Sequence, residues 1–131
     1  QEGTDKQKTT RSLFAVHFDE LELMDETQIS ESVERARAGQ IVASAVEVPL
    51  ADLDALVCAA QGLASVRAEC NPLRPDVFLQ ALQGVVAQMQ VTDQVRRDWM
   101  GHMAQALGDE LRKLYLALIG RLQQGGIRPV G

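Results

Sequence analysis

The chain has 131 residues, of which 46% are hydrophobic and 24% charged. This is the composition of one globular domain rather than of a disordered or fibrous chain. Aromatic residues make up only 4%, so we expect an aliphatic core. The formal net charge of −5 argues against nucleic-acid and membrane partners, and no run of about 18 apolar residues predicts a membrane span.

The beginning of the chain divides into two parts by polarity. Residues 1–12 have no apolar position and predict a disordered leader or linker, whereas residues 13–131 are expected to form a single helical domain. Just after the leader, large apolar residues occur at every second position, and this period of two predicts a short extended arm. A lone strand is unstable, so we expect the arm to lie on helices or on another chain. Its apolar residues are Phe14, Val16, Phe18, Leu21 and Leu23.

Two helices are predicted next, separated at a proline. Asp25 and Gln28 have capping-box spacing, and they predict a first helix that continues to about Glu47. Pro49 ends that helix and suits the first position of a second one, whose apolar face extends through Ala64. The buried stripe expected on the first helix consists of Ile29, Val33 and Ala36.

Two further helices follow a loop that contains two prolines. The third helix is predicted from Pro75 to Gln90, and the last begins after a Thr92 cap and stops at Gly125 and Gly126. The fold class is therefore all-α, a helical bundle of about four helices with a short extended N-terminal arm.

The last helix is long for a domain of this size. Unbroken, it would extend about 46 Å, against a diameter of about 36 Å for a compact chain of this length. We expect either a bend at Gly101 or Gly108, or a projecting end whose leucine stripe needs a partner. Its leucines Leu114, Leu118 and Leu122 are therefore predicted, with the arm, to form an interaction surface for a second copy in a dimer or for another protein.

Residues that could carry chemistry are few. Cys58 and Cys70 form no metal-type motif, and the pair Asp98 and His102 lacks a third ligand. We therefore predict no enzyme, no catalytic residue, no cofactor and no metal. The alternative is a small-ligand or second-messenger pocket near Arg96, Trp99 and His102.

Three blocks of the sequence resemble a large proteobacterial family of unknown function. They are an acidic opening over residues 21–31, an Asn-Pro-Leu-x-Pro helix start at residues 71–75, and a Leu-Tyr pair at 114–115 that leads into a Gly-Ile-x-Pro tail ending at Pro129. The resemblance implies an excised part of a long cytoplasmic protein, of a kind sometimes named thymidine phosphorylase. This chain has no phosphate cradle to support that activity.

Some long relatives in that family end in a segment similar to PilZ domains, which bind cyclic di-GMP. This chain lacks that segment, so the resemblance implies nucleotide sensing only for a longer parent protein. We therefore expect a cytoplasmic, non-enzymatic interaction or regulatory module that self-associates or docks a protein partner.

Overall fold

The structure, a computed structural model, describes the backbone of residues 2–131 and the side chains of residue 26 and residues 28–131. It contains three α-helices: α1 (Glu2–Ala60), α2 (Pro75–Ala87) and α3 (Asp93–Gln124). A 3₁₀ turn at Ala68–Cys70 precedes α2, and the described backbone has no strand. The all-α prediction is confirmed, but the number of helices is three rather than about four.

The chain divides into two compact units, Gln1–Arg35 and Ala36–Gly131. The predicted boundary between a leader at residues 1–12 and a domain at 13–131 is a different division, and it stays a prediction. Among the described residues, no helix carries a stretch both long and apolar enough to cross a bilayer.

The predicted extended arm is wrong, because residues 13–23 belong to α1. A lone extended segment would leave its backbone N–H and C=O groups without partners, whereas a helix satisfies them internally. The capping role predicted for Asp25 is wrong for the same reason, since the helix is already formed before it. The side chains of Phe14, Val16, Phe18, Leu21 and Leu23 lie outside the described residues.

The predicted break at Pro49 is also wrong, because α1 continues through this residue. A proline inside a helix removes one hydrogen bond and costs about 3 kcal/mol. Val46 and Leu53, on either side of it, are both fully buried. They are seven residues apart, so they share one face only if the helix continues, and burial of that face opposes the break.

Two glycines with positive φ end α1 and α3. Gly62 (φ 80°) follows α1, where Leu63 N donates to Cys58 O (2.9 Å) and Gly62 N donates to Ala59 O (3.0 Å). This is a Schellman motif, so α1 ends at Ala60 rather than at Ala64 as predicted. Gly126 (φ 84°) ends α3 with the same pattern, and the predicted stop there is confirmed.

The starts of α2 and α3 follow the predicted signals. Pro75 occupies the first turn of α2, and the Thr92 side chain accepts a hydrogen bond from Val95 N at the start of α3. Helix α2 ends at Ala87, three residues before the predicted Gln90.

The core of the second unit is aliphatic, as predicted, except for one tyrosine at its centre. Each of the three helices contributes one face. The buried side chains of this core cluster are Ala38, Val42, Val46 and Leu53 of α1, Leu79 and Val86 of α2, and Met100, Ala104, Leu111 and Tyr115 of α3.

Helix α3 lies close to α1 at Gly108. A Cβ atom at this position would be 2.8 Å from the Ala45 Cβ and 3.5 Å from the Val42 Cα. A Cβ atom at Gly101, by contrast, would have no heavy atom within 4 Å among the described residues, apart from its chain neighbours and the backbone of its own helix. The helix is unbroken at both glycines, so the role of Gly108 is close packing.

The stripe predicted to be buried on the first helix is exposed instead. Ile29 is 63% exposed and Val33 is 51% exposed, and Ala36 is exposed as well. Their spacing predicted an apolar face, and no described side chain covers it.

Candidate functional site

A groove of 720 Å³ lies between α1 and the segment that leads into α2. We call it the α1–α2 groove. Its floor is the part of α1 from Gly39 to Asp54. Its wall is formed by the 3₁₀ turn, by Arg74 and by the first residues of α2. Half of the eight floor residues have small side chains, namely Gly39, Ala43, Ser44 and Ala51. They allow another chain to approach the α1 backbone closely.

Asn71 holds the wall of the groove in place. It is fully buried, and its Nδ2 donates to Asp54 Oδ1 of α1 (2.8 Å). Its Oδ1 accepts from Leu73 N (2.9 Å), which forms an Asx turn. This turn directs the chain into Pro75 and thereby positions the start of α2 beside α1.

Tyr115 joins the same segment to α3. Its side chain is fully buried, and its hydroxyl donates to Leu73 O (2.5 Å). Burial raises the pKa of Tyr115 to about 12, with further contributions from the negative charges of Asp54 and Asp76. The phenol is therefore a neutral donor over the physiological range.

Asp54 is the buried acid of the groove, with 6% of its surface exposed. Burial raises its pKa, and the hydrogen bond from Asn71 opposes this shift. Asn71 Nδ2 is the one hydrogen-bond donor to this carboxyl among the described residues, so the second carboxyl oxygen has none. Among the described side chains, Arg96 Nε is the one buried polar atom without a hydrogen-bond partner, so the second Asp54 oxygen is not sealed from solvent and can accept a hydrogen bond from outside the protein.

The remaining charged residues of the groove lie at its rim. Glu47, Glu69 and Asp76 are exposed acids, and Arg74 is the basic residue among the lining positions. Arg74 Nη1 donates to Asn71 O (3.2 Å), and among the described residues no ion pair joins it to a carboxylate. The groove therefore has an acidic surface.

The two cysteines are both free thiols. Cys58 is buried, and its Sγ accepts from Arg67 N (3.3 Å) and donates to Arg67 O (3.4 Å). It thereby holds the loop after α1. Within the described part of the chain, no three His, Cys, Asp or Glu side chains gather as metal ligands.

The predicted ligand pocket consisted of Arg96, Trp99 and His102, which lie in the first three turns of α3. None of these residues lines the α1–α2 groove. Arg96 donates to Asp93 Oδ1 (3.3 Å) and to Met89 O (3.0 Å). Its Nε is buried and has no hydrogen-bond partner among the described residues. Trp99 is 40% exposed and His102 is exposed.

The leucines of the predicted interaction surface on α3 do not share one environment. Leu114 is exposed, whereas Leu118 and Leu122 pack against the core of their own chain. Leu116, which the sequence pattern did not single out, is half exposed.

Sequence reasoning missed the α1–α2 groove. Asp54 is not among the predicted site residues; it lies just after the helix start that was predicted at Pro49. A signal did exist: Asp54 interrupts the apolar run around Leu53 and Leu56, where an exposed acid is unexpected. Its partner Asn71 is 17 residues away, and no local pattern pairs the two.

Two of the three sequence blocks that carry the family resemblance meet at this groove. Asn71 and Leu73 belong to the Asn-Pro-Leu-x-Pro block and Tyr115 to the Leu-Tyr block, and hydrogen bonds connect them. The Asn-Pro-Leu-x-Pro block contributes Arg74 and Pro75 to the groove wall, and Tyr115 of the Leu-Tyr block supports that wall from α3.

Comparison with known families gives one match. A family model described as protein of unknown function (DUF1631), N-terminal domain, matches residues 1–126. No curated protein and no solved structure matches the chain. The resemblance to a family of unknown function is confirmed at that level, while the proteobacterial origin and the origin from a longer protein stay predictions.

Proposed function

The chain belongs to the DUF1631 family, in its N-terminal domain, and we propose that it is a non-enzymatic interaction module of a larger bacterial protein that docks a protein partner. The observation that carries this proposal is the α1–α2 groove. Its floor extends over residues 39–54 of α1, about 22 Å at 1.5 Å per residue. That length suits a helical or extended segment of a protein, a common mode of recognition in grooves.

The construction of the groove supports a binding role. One wall is held by hydrogen bonds from the buried side chains of Asn71 and Tyr115. It is therefore preorganised, and a preformed site loses less entropy on binding. The floor carries small side chains, which permit close contact with a partner backbone.

Self-association is the other form of the proposed function. The exposed Leu114 and Leu116 of α3 favour it. Leu118 and Leu122 do not, because they pack against their own core. The sensing alternative has less support, because Arg96, Trp99 and His102 do not line the groove.

A groove-filling substitution tests the proposal. A displayed library of random peptides of about 15 residues, the length of the groove floor, is selected against the whole chain. We expect binders that lose affinity at least about tenfold on Ala43→Trp, which fills the groove. The control is Ala106→Trp, at an exposed position of α3 that does not line the groove, and it should leave binding unchanged.

Light scattering of the free chain, over a hundredfold range of concentration, identifies the case in which the partner is a second copy. A doubled mass that Ala43→Trp abolishes would mean that the groove takes part of another copy. Absence of selected peptides, together with an unchanged monomer mass, would overturn the proposed function.

A further inference from the structure

We infer that the α1–α2 groove binds a basic segment of a protein partner, and that one Lys or Arg side chain of that segment pairs with Asp54. The inference rests on the proposed function, and it adds the chemical class of the partner and the residue that anchors it.

The charge of the groove is the first argument. Four acidic side chains and a single basic one line it, and the basic one, Arg74, donates to a backbone carbonyl. The acids at the rim are therefore left without a cation from the described residues of the groove. A partner with positive charge complements this surface and is steered toward it, whereas an acidic partner is repelled.

Asp54 supplies a second and independent argument. Its side chain is more than nine-tenths buried, it lines the groove, and one of its carboxyl oxygens has no hydrogen-bond donor among the described residues. That oxygen is not among the buried atoms that lack a partner, so a donor can reach it from the groove that Asp54 lines. A guanidinium or ammonium group that enters from the groove would provide both the missing donor and the opposite charge.

The geometry of the carboxyl is fixed before the partner arrives. Asn71 Nδ2 holds Asp54 Oδ1 at 2.8 Å, and Asn71 is itself held by Leu73 N (2.9 Å). The carboxylate therefore has one orientation in which its second oxygen can accept. A preorganised charge of this kind in a partly desolvated site is typical of an anchor that dominates affinity.

A metal ion is a poorer occupant than a side chain. No group of three potential metal ligands exists among the described side chains, so Asp54 would hold a cation almost alone. A small organic amine would satisfy Asp54 but leave most of the floor uncovered. A basic segment of protein satisfies both the charge and the length of the groove.

The rim and the floor are expected to act differently in binding. Glu47, Glu69 and Asp76 are exposed, so they should affect mainly the association rate and its dependence on salt. Asp54 is buried, so its loss should affect mainly the dissociation rate.

The test uses the peptides selected on the whole chain. We expect that they carry Lys or Arg, that alanine at one such position weakens binding at least about tenfold, and that Asp54→Asn does the same. The Asn side chain keeps an oxygen for Asn71 Nδ2, so the variant should fold, and circular dichroism checks this. Asp52→Asn is the matched control, because Asp52 is an exposed acid on α1 that does not line the groove.

The outcomes separate the two proposals. Peptides that lose binding on Ala43→Trp but lack basic residues, or bind equally well to Asp54→Asn, would overturn the basic-partner inference and leave the docking function intact. Peptides that ignore Ala43→Trp would overturn the docking function itself. If Asp54→Asn fails to fold, Glu47→Gln with Glu69→Gln decides: a binding rate that these changes and added salt do not lower would contradict the inference.

Discussion

Two stretches of the same helix carry the same apolar spacing and have opposite surroundings. Ile29 and Val33 are four residues apart on α1 and are more than half exposed, whereas Val42 and Val46, also four apart, are almost completely buried. The first pair lies in the unit Gln1–Arg35 and the second in the unit Ala36–Gly131. Periodicity therefore identifies an apolar face of a helix, but only a packing partner decides whether that face is buried.

The largest expected effect compares one truncation in each stretch. Leu53→Ala removes a fully buried side chain of α1 and should lower the free energy of unfolding by about 2 to 5 kcal/mol. Ile29→Ala should change it by no more than about 0.5 kcal/mol. Urea unfolding followed by circular dichroism measures both. A large loss on Ile29→Ala would mean that Ile29 is covered in solution and would remove the contrast.

The next largest effect on the free energy of unfolding is expected at Gly108, where α3 lies close to α1 beside the buried Val42. Gly108→Ala brings a Cβ to 2.8 Å from the Ala45 Cβ, and the helices must move apart, at a cost of about 1 to 3 kcal/mol. Gly101→Ala meets open space and should stabilise the helix by about 0.5 to 1 kcal/mol. Thermal unfolding of the two variants measures the difference. A Gly108→Ala variant that is more stable than the wild-type chain would contradict the close approach of α3 to α1.

The smallest expected effect concerns the hydrogen bond of Tyr115. Tyr115→Phe leaves the Leu73 carbonyl without this donor and should cost about 1 kcal/mol near neutral pH. The folded pKa of about 12 exceeds the ordinary value of 10.0, so the unfolded chain loses the phenol proton first. The advantage of the wild-type chain over the variant is therefore complete below pH 10 and is lost as the pH rises toward 12.

The titration of this group can be followed directly, because the chain has a single tyrosine. Its ultraviolet absorbance should change with a midpoint near pH 12 in the folded protein. A midpoint near 10.0 would show that the phenol is not buried as described, and that this link between α3 and the groove wall is absent in solution.

Local signals predicted several elements correctly and failed where a longer-range contact decided. The Thr92 cap, the Pro75 start and the Gly126 stop are each determined within a few residues, and all three are confirmed. Pro49 was wrongly predicted to end a helix, because the burial of Val46 and Leu53 outweighs its local preference. The α1–α2 groove could not be predicted, since its wall depends on a hydrogen bond between residues 71 and 54.

Composition, the 3.6-residue period and local motifs were enough to predict the helical class and the aliphatic core, and the resemblance of three sequence blocks predicted a family of unknown function. The packing of the helices was needed to show which apolar faces are covered, that Gly108 of α3 lies close to α1, and that Asp54 is a buried acid. The physical reason is that burial and electrostatic environment depend on residues distant along the chain. No local pattern in a single sequence states which of those residues will meet.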